Sequence, residues 1–138
     1  MIYHGNFGKL DDLPETIGIV VKRLEPQKND FDSIVCMGMS GVIVAIPVAL
    51  ALDKPFVIVR KEGESYHHDE ADDRGIVNKK RIGRRTLFLD DFSSAGITYN
   101  TVGKAVNDFT NARIVGQYYY RMHYCNIKPK RKYTRKGA

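Results

Sequence analysis

The sequence predicts an α/β domain with a mainly parallel sheet flanked by helices, and three observations predict it. Short apolar runs of strand length alternate with longer stretches whose apolar residues recur at helical spacing. Turn-forming residues (Pro26, Gly38, Pro55, Asp90-Asp91) separate them. The chain has 138 residues, which is one domain, and a domain of that size hides roughly 68–70% of its unfolded surface in a core.

Each element has a local reason. Residues 12–28 read as a helix: Asp12 can cap it, Pro14 suits the first turn, and Glu15 stands three positions after the cap. Ile17, Val20, Val21 and Leu24 then share one face, and Pro26 ends it. Residues 33–37 (SIVCM) form a short buried strand. Gly38-Met39-Ser40-Gly41 breaks it, and residues 42–52 continue as an apolar helix. Residues 55–60 (PFVIVR) form a second strand with Pro at its edge. Residues 86–89 (TLFL) form a third, ending in Asp90-Asp91. Residues 96–109 are helical, with Val102, Ala105, Val106 and Phe109 on one face, and residues 112–120 (ARIVGQYYY) are the last strand. Alternation puts Tyr118 and Tyr120 on one side of that strand and Tyr119 on the other.

Residues 62–85 differ in character. Six acids and no base occupy 62–73; six bases and no acid occupy 74–85. So charged a stretch inside a small domain is expected to be a mobile lid or a disordered loop, with Ile76-Val77 as a short returning strand. The net charge of +6 is equally uneven, because seven Lys or Arg and no acid lie between Arg121 and Ala138. Residues 1–127 are read as the domain and 128–138 as a basic, disordered tail. No apolar run approaches the ~20 residues of a membrane span; the longest is residues 41–52. The start MIYHGNFGKLDD lacks the pattern of a secretory signal. Two cysteines make neither a disulfide framework nor a metal cluster; Cys36 suits the core and Cys125 is an incidental thiol. A soluble, cytoplasmic protein with no membrane partner is expected.

The segment richest in chemistry is TLFLDDFSSAGIT, residues 86–98. A buried strand ends in two carboxylates, a loop of small hydroxylic residues follows, and a helix begins. Free N–H groups at a helix start attract an anion such as phosphate. Ser93, Ser94 and Thr98 add hydroxyl donors, and Ala95 and Gly96 let the backbone come close. Asp90 and Asp91 are placed to accept hydrogen bonds from a sugar diol. A strand end and a helix cap with nothing bound is the plainer reading of the same residues.

This segment resembles the phosphoribosyl pyrophosphate (PRPP) signature of the type I phosphoribosyltransferases. The resemblance implies that Asp90 and Asp91 bind the ribose hydroxyls. It implies that Ser93, Ser94, Ala95, Gly96, Ile97 and Thr98 wrap the 5′-phosphate, although Phe92 and Ser93 stand where the family has aliphatic residues. Met39-Ser40-Gly41 matches the family's pyrophosphate loop, often built on a cis peptide; several members have Lys or Arg where Ser40 stands. VIVRKE, residues 57–62, is similar to the orotate-type strand end, with Arg60 and Lys61 neutralising phosphate. Residues 62–82 fall where the family has its mobile catalytic loop, and His67 or His68 there would donate a proton. Ser65-Tyr66 resembles a pair in the 6-oxopurine enzymes, while Ser94 stands where those enzymes place an Asp. Tyr120 and Arg121 fall near the nucleobase position.

The resemblance implies transfer of the ribosyl group of PRPP to a purine or pyrimidine base with release of pyrophosphate. Mg²⁺ would be the cofactor, reaching Asp90 and Asp91 indirectly through Mg-PRPP, and a homodimer the assembly. His67-His68-Asp69-Glu70 also has the composition of a metal site, but on a stretch read as mobile. The rival reading is a PRPP-binding regulator without transferase activity whose basic tail binds RNA. A third is a phosphoribosyl hydrolase or a salvage enzyme for an unusual base.

Overall fold

A computed structural model describes residues 12–61, 75–93 and 96–131. Helix α1 (Leu13–Leu24) leads through a 3₁₀ turn (Glu25–Asp30) into strand β1 (Ser33–Cys36). Helix α2 (Gly38–Leu52), β2 (Phe56–Ile58), a second 3₁₀ turn (Lys79–Arg81), β3 (Arg85–Asp90) and helix α3 (Ile97–Phe109) follow. Strands β4 (Arg113–Tyr119) and β5 (Tyr124–Ile127) complete the sheet. Its order is β2-β1-β3-β4-β5. The first four strands run parallel, and β5 is antiparallel to β4.

The pleat divides the core in two. Ile34, Cys36, Leu87, Leu89, Tyr118 and Tyr120 point to the face covered by α1 and α2, where they meet Val20, Leu24, Val44 and Val48. Val35, Phe88 and Tyr119 point to the other face and meet Val102, Ala105 and Val106 of α3. The two directions expected for the tyrosines are those observed. Each fully buried aliphatic or aromatic side chain is worth about 1.5–3 kcal/mol relative to exposure, so strands this short hold by burial on both faces. At the amino ends of β1 and β3, the buried Ser33 hydroxyl donates to the Ile82 carbonyl at 2.6 Å and lies 2.7 Å from the Thr86 hydroxyl.

From β1 the chain passes through α2 to β2, on one side; from β3 it passes through α3 to β4, on the other. The carboxyl ends of β1 and β3 therefore flank the point where the direction of winding reverses, the place where open α/β sheets bind ligands.

Five expectations are corrected. The first helix stops at Leu24, because Pro26 has no N–H for the next helical bond and the chain tightens into a 3₁₀ turn. Asp12 stands at the cap but makes no side-chain capping bond. Residues 38–41 end the strand as expected but belong to the helix expected from residue 42: α2 begins at Gly38, whose φ of +84° turns the backbone sharply into it. The charged stretch is not a lid throughout. Ile76 and Ile82 are buried with the α3 face, and Val77 bridges to Ile58, the returning segment that was expected; residues 62–74 lie outside the described residues. Finally, β5 was not foreseen. The stretch read as tail starts out bonded to the body, with the Lys128 N–H on the Val115 carbonyl and the Lys130 N–H on Asp30. Among the described residues, no helix is long and apolar enough to cross a membrane.

Candidate active site

Asp90 ends β3 and Asp91 follows it, and both are only 6% exposed. Their backbones continue the parallel ladder: the Asp90 carbonyl accepts from the Tyr120 N–H at 3.0 Å, and the Asp91 carbonyl from the Arg121 N–H at 2.7 Å. Tyr120 and Arg121 are thus held level with the acids. Asp90 Oδ1 accepts from the Asp91 N–H at 2.9 Å and faces the Ser40 hydroxyl at 3.4 Å. Asp91 Oδ1 accepts from the Phe92 N–H at 2.8 Å. Burial, with the neighbouring Asp91 charge adding to it, pushes the Asp90 carboxyl up to about 6.

The first turn of α2 lies against this strand end. A Cβ on Gly41 would stand 3.1 Å from Cys36 Cβ and 3.2 Å from the Leu89 carbonyl oxygen, so any larger residue would hold the helix off the sheet. Tyr120, the residue after β4, closes the same contact, its hydroxyl donating to the Ser40 carbonyl at 2.8 Å. Lys61, after β2, reaches the turn from the other side: its Nζ lies 3.8 Å from where a Gly38 Cβ would be. Met39 projects outward, 72% exposed. Cys36, buried beneath, has its thiol pushed up to about 12 by burial, which leaves it a packing residue.

On the opposite side of Asp90, Ser93, Gly96, Ile97 and Thr98 line a small pocket whose wall is Phe88, Tyr99 and Tyr119. The first N–H groups of α3 have no partner within the helix, and Gly96 precedes them with φ +75°. Phe88 packs edge-on to Tyr99 and Tyr119, with centroids 5.5 and 6.0 Å apart. Tyr124 of β5 stacks on Tyr119 at 6.2 Å.

The fold thus brings together Met39, Ser40, Gly41, Lys61, Asp90, Asp91, Ser93, Gly96, Ile97, Thr98, Tyr120 and Arg121. Arg60 immediately precedes Lys61. Ser94, Ala95, Ser65, Tyr66, His67 and His68 lie outside the described residues. The sequence reading singled out Tyr118, Tyr119, Tyr120 and Tyr124 in or after the last strand but missed Tyr99, which lines the pocket with Phe88 and Tyr119. It also missed the approach of Lys61 to Gly38, for which the chain carries no local signal. Among the described residues, no peptide is cis and no group of three or more His, Cys, Asp or Glu is placed to hold a metal ion.

A mostly parallel sheet wound outward from β1 and β3 and flanked by helices is the fold of the type I phosphoribosyltransferases, and solved structures agree. The adenine phosphoribosyltransferase of Thermoanaerobacter pseudethanolicus superposes with a TM-score of 0.62 at 21% identity, covering 83% of this chain and 70% of that one. Among curated proteins, the adenine phosphoribosyltransferase of Clostridium beijerinckii is 35% identical over 104 residues, 68% of this chain and 59% of the relative. The orotate phosphoribosyltransferase of Methanospirillum hungatei is 30% identical over 83 residues, 60% of this chain and 45% of the relative. No family model matches the chain. The chain spans about half the length of the curated relatives it matches. Its relatives in sequence and in fold include phosphoribosyltransferases, for adenine in some cases and orotate in others, and the sequence relatives also include the transcriptional regulator GfcR of Methanococcoides burtonii, 26% identical over 99 residues, 65% of this chain and 45% of the relative.

Proposed function

We propose that the protein is a phosphoribosyltransferase that joins a nucleobase, purine or pyrimidine, to the ribose C1 of PRPP and releases pyrophosphate. The observation that carries this reading is the buried Asp90-Asp91 pair at the switch point, between the first turn of α2 and the start of α3. A regulator without transferase activity is the less favoured reading: a transcriptional regulator stands among the relatives at 26% identity, but the adenine and orotate transferases match at 30–35%.

In the proposed reaction a ring nitrogen of the base attacks C1 while the C1–O bond breaks. The electron pair leaves with pyrophosphate, and the nitrogen gives up its proton. Positive charge builds on the ribose ring, so the protein's work is positioning, charge placement and exclusion of water. Asp90 and Asp91 hold the ribose through its two hydroxyls. The first N–H groups of α3, with Ser93, Ser94 and Thr98, hold the 5′-phosphate. The first turn of α2 presents Met39, Ser40 and Gly41 to the pyrophosphate, and Lys61 supplies there the positive charge that Ser40 does not. Mg²⁺ bound to the pyrophosphate would neutralise the leaving group. The site fits a cation carried in by the substrate: two carboxylates, each only 6% exposed, stand together at the strand end. Arg121, exposed beside Asp91, faces the base, while the buried Tyr120 ring supports the α2 turn. His67 or His68 as the proton donor to the leaving group, and assembly as a cytoplasmic homodimer, rest on the sequence resemblance.

The test is pyrophosphate release from PRPP and Mg²⁺ with a panel of purine and pyrimidine bases. Release that requires one of the bases supports the reading. No release with any base, under conditions where the protein is folded, overturns it.

A further inference from the structure

The sheet has a second chemically distinct edge, at the amino ends of β3 and β4. Two adjoining surface depressions of about 530 and about 410 Å³ meet there and share Arg84 and Asn111 in their walls. Their basic lining is Lys79, Lys80, Arg84, Arg85, Arg113 and Lys130, and their one acid is Asp32. Asp32 is committed to the backbone, its Oδ2 accepting from the Arg84 and Arg85 N–H groups at 3.0 Å each. Arg85 is fixed by its Nε on the Asp30 carbonyl at 2.7 Å. Lys80, Arg84, Arg113 and Lys130 are exposed. These charges come from three separate parts of the chain, the 3₁₀ turn and the β3 entry, the β4 entry, and the segment after β5. β3 is six residues long, so at ~3.3 Å per residue this edge is about 17–20 Å from Asp90.

We propose that this edge binds the phosphate backbone of RNA, independently of the site at Asp90. Guanidinium groups suit phosphate oxygens, and a run of them across two depressions exceeds what one small anion occupies. Past Arg131 the sequence continues with Lys132, Arg135 and Lys136 and no acid. The one aromatic ring in the lining, Phe109, is half-buried against the α3 core, which leaves the contact one to phosphate rather than to bases.

The experiment measures binding of a fluorescein-labelled single-stranded RNA of about 20 nucleotides to the full chain across a salt series, where each phosphate contact contributes about 0.7 to the log–log slope. A slope near −3 is expected, and saturating PRPP with Mg²⁺ should leave the affinity unchanged. The variant Lys80→Ala/Arg84→Ala/Arg113→Ala should retain the wild-type melting temperature, bind at least tenfold more weakly and show a slope smaller by about 2. Absence of binding at low salt, the same affinity in the variant, or equal displacement by polyglutamate would each overturn the proposal, the last in favour of an acidic protein partner. None of these readouts depends on transferase activity.

Discussion

The Tyr120 hydroxyl donates to the Ser40 carbonyl at 2.8 Å, across 80 residues of sequence. The bond ties the end of β4 to the first turn of α2, on the side of that turn where Ser40 also faces Asp90. Replacing Tyr120 by Phe keeps the buried ring and removes the tie. A hydrogen bond of this kind is worth about 0.5–1.5 kcal/mol, so Tyr120→Phe should lower the melting temperature slightly. It should weaken PRPP binding more than a control such as Tyr124→Phe, as read by calorimetric titration; equal effects would remove the positioning role.

Asp90 should make both stability and PRPP affinity depend on pH. Its carboxyl is raised from 3.8 to about 6 in the folded protein, so between those values the native state binds more protons than the unfolded one. Stability contributed by this group is then lost as pH rises from about 4 to about 6, and Asp90 is destabilising at pH 7. At a unit of pKa per about 1.4 kcal/mol the cost is on the order of 2–3 kcal/mol. Asp90→Asn should therefore melt higher than wild type at pH 7, with the gain shrinking toward pH 4. PRPP affinity should move the other way in the wild type, falling as pH drops below about 6 because the carboxylate is the acceptor. A gain that is flat with pH would contradict this.

Gly41→Ala tests the approach of α2 to the sheet. The added methyl would sit 3.1 Å from Cys36 Cβ and 3.2 Å from the Leu89 carbonyl, tighter than ordinary contact. Overpacking of this sort costs typically 1–3 kcal/mol. A loss in that range by denaturant unfolding, with PRPP affinity reduced as the turn shifts, is the expected result.

Lys61→Ala should weaken PRPP binding about tenfold, near 1.4 kcal/mol, while ribose 5-phosphate binding stays within about twofold. The difference follows from its place beside Gly38, at the start of the pyrophosphate turn. Equal losses for the two ligands would move Lys61 away from the pyrophosphate.

The sheet and both crossover helices were legible because burial on two faces leaves continuous apolar strands between turn residues. The acids were legible for the same reason: Asp90 and Asp91 interrupt the apolar run 86–89 where a parallel strand must end. What was hidden depended on distant contacts. Gly38 and Gly41 look like breakers in sequence, yet Gly38 supplies the entry angle of α2 and Gly41 the room for it to lie on β1 and β3. Ile76 and Ile82 sit among basic residues, and only the groove beside Val57 and Phe88 makes them core. Strand β5 is four residues long, joined to β4 by a turn in which His123 takes φ +47°. Its Tyr-Cys-Asn-Ile sequence acquires strand character from β4 and has little of its own.

The central claim, that the Asp90-Asp91 pair holds the ribose of PRPP, is tested most directly by calorimetric titration of PRPP with Mg²⁺ into the wild-type protein, Asp90→Asn and Asp91→Asn. Both variants should stay folded and bind at least tenfold more weakly, a loss of about 1.4 kcal/mol or more. Wild-type affinity in both variants, or no binding to the wild-type protein itself, would contradict it.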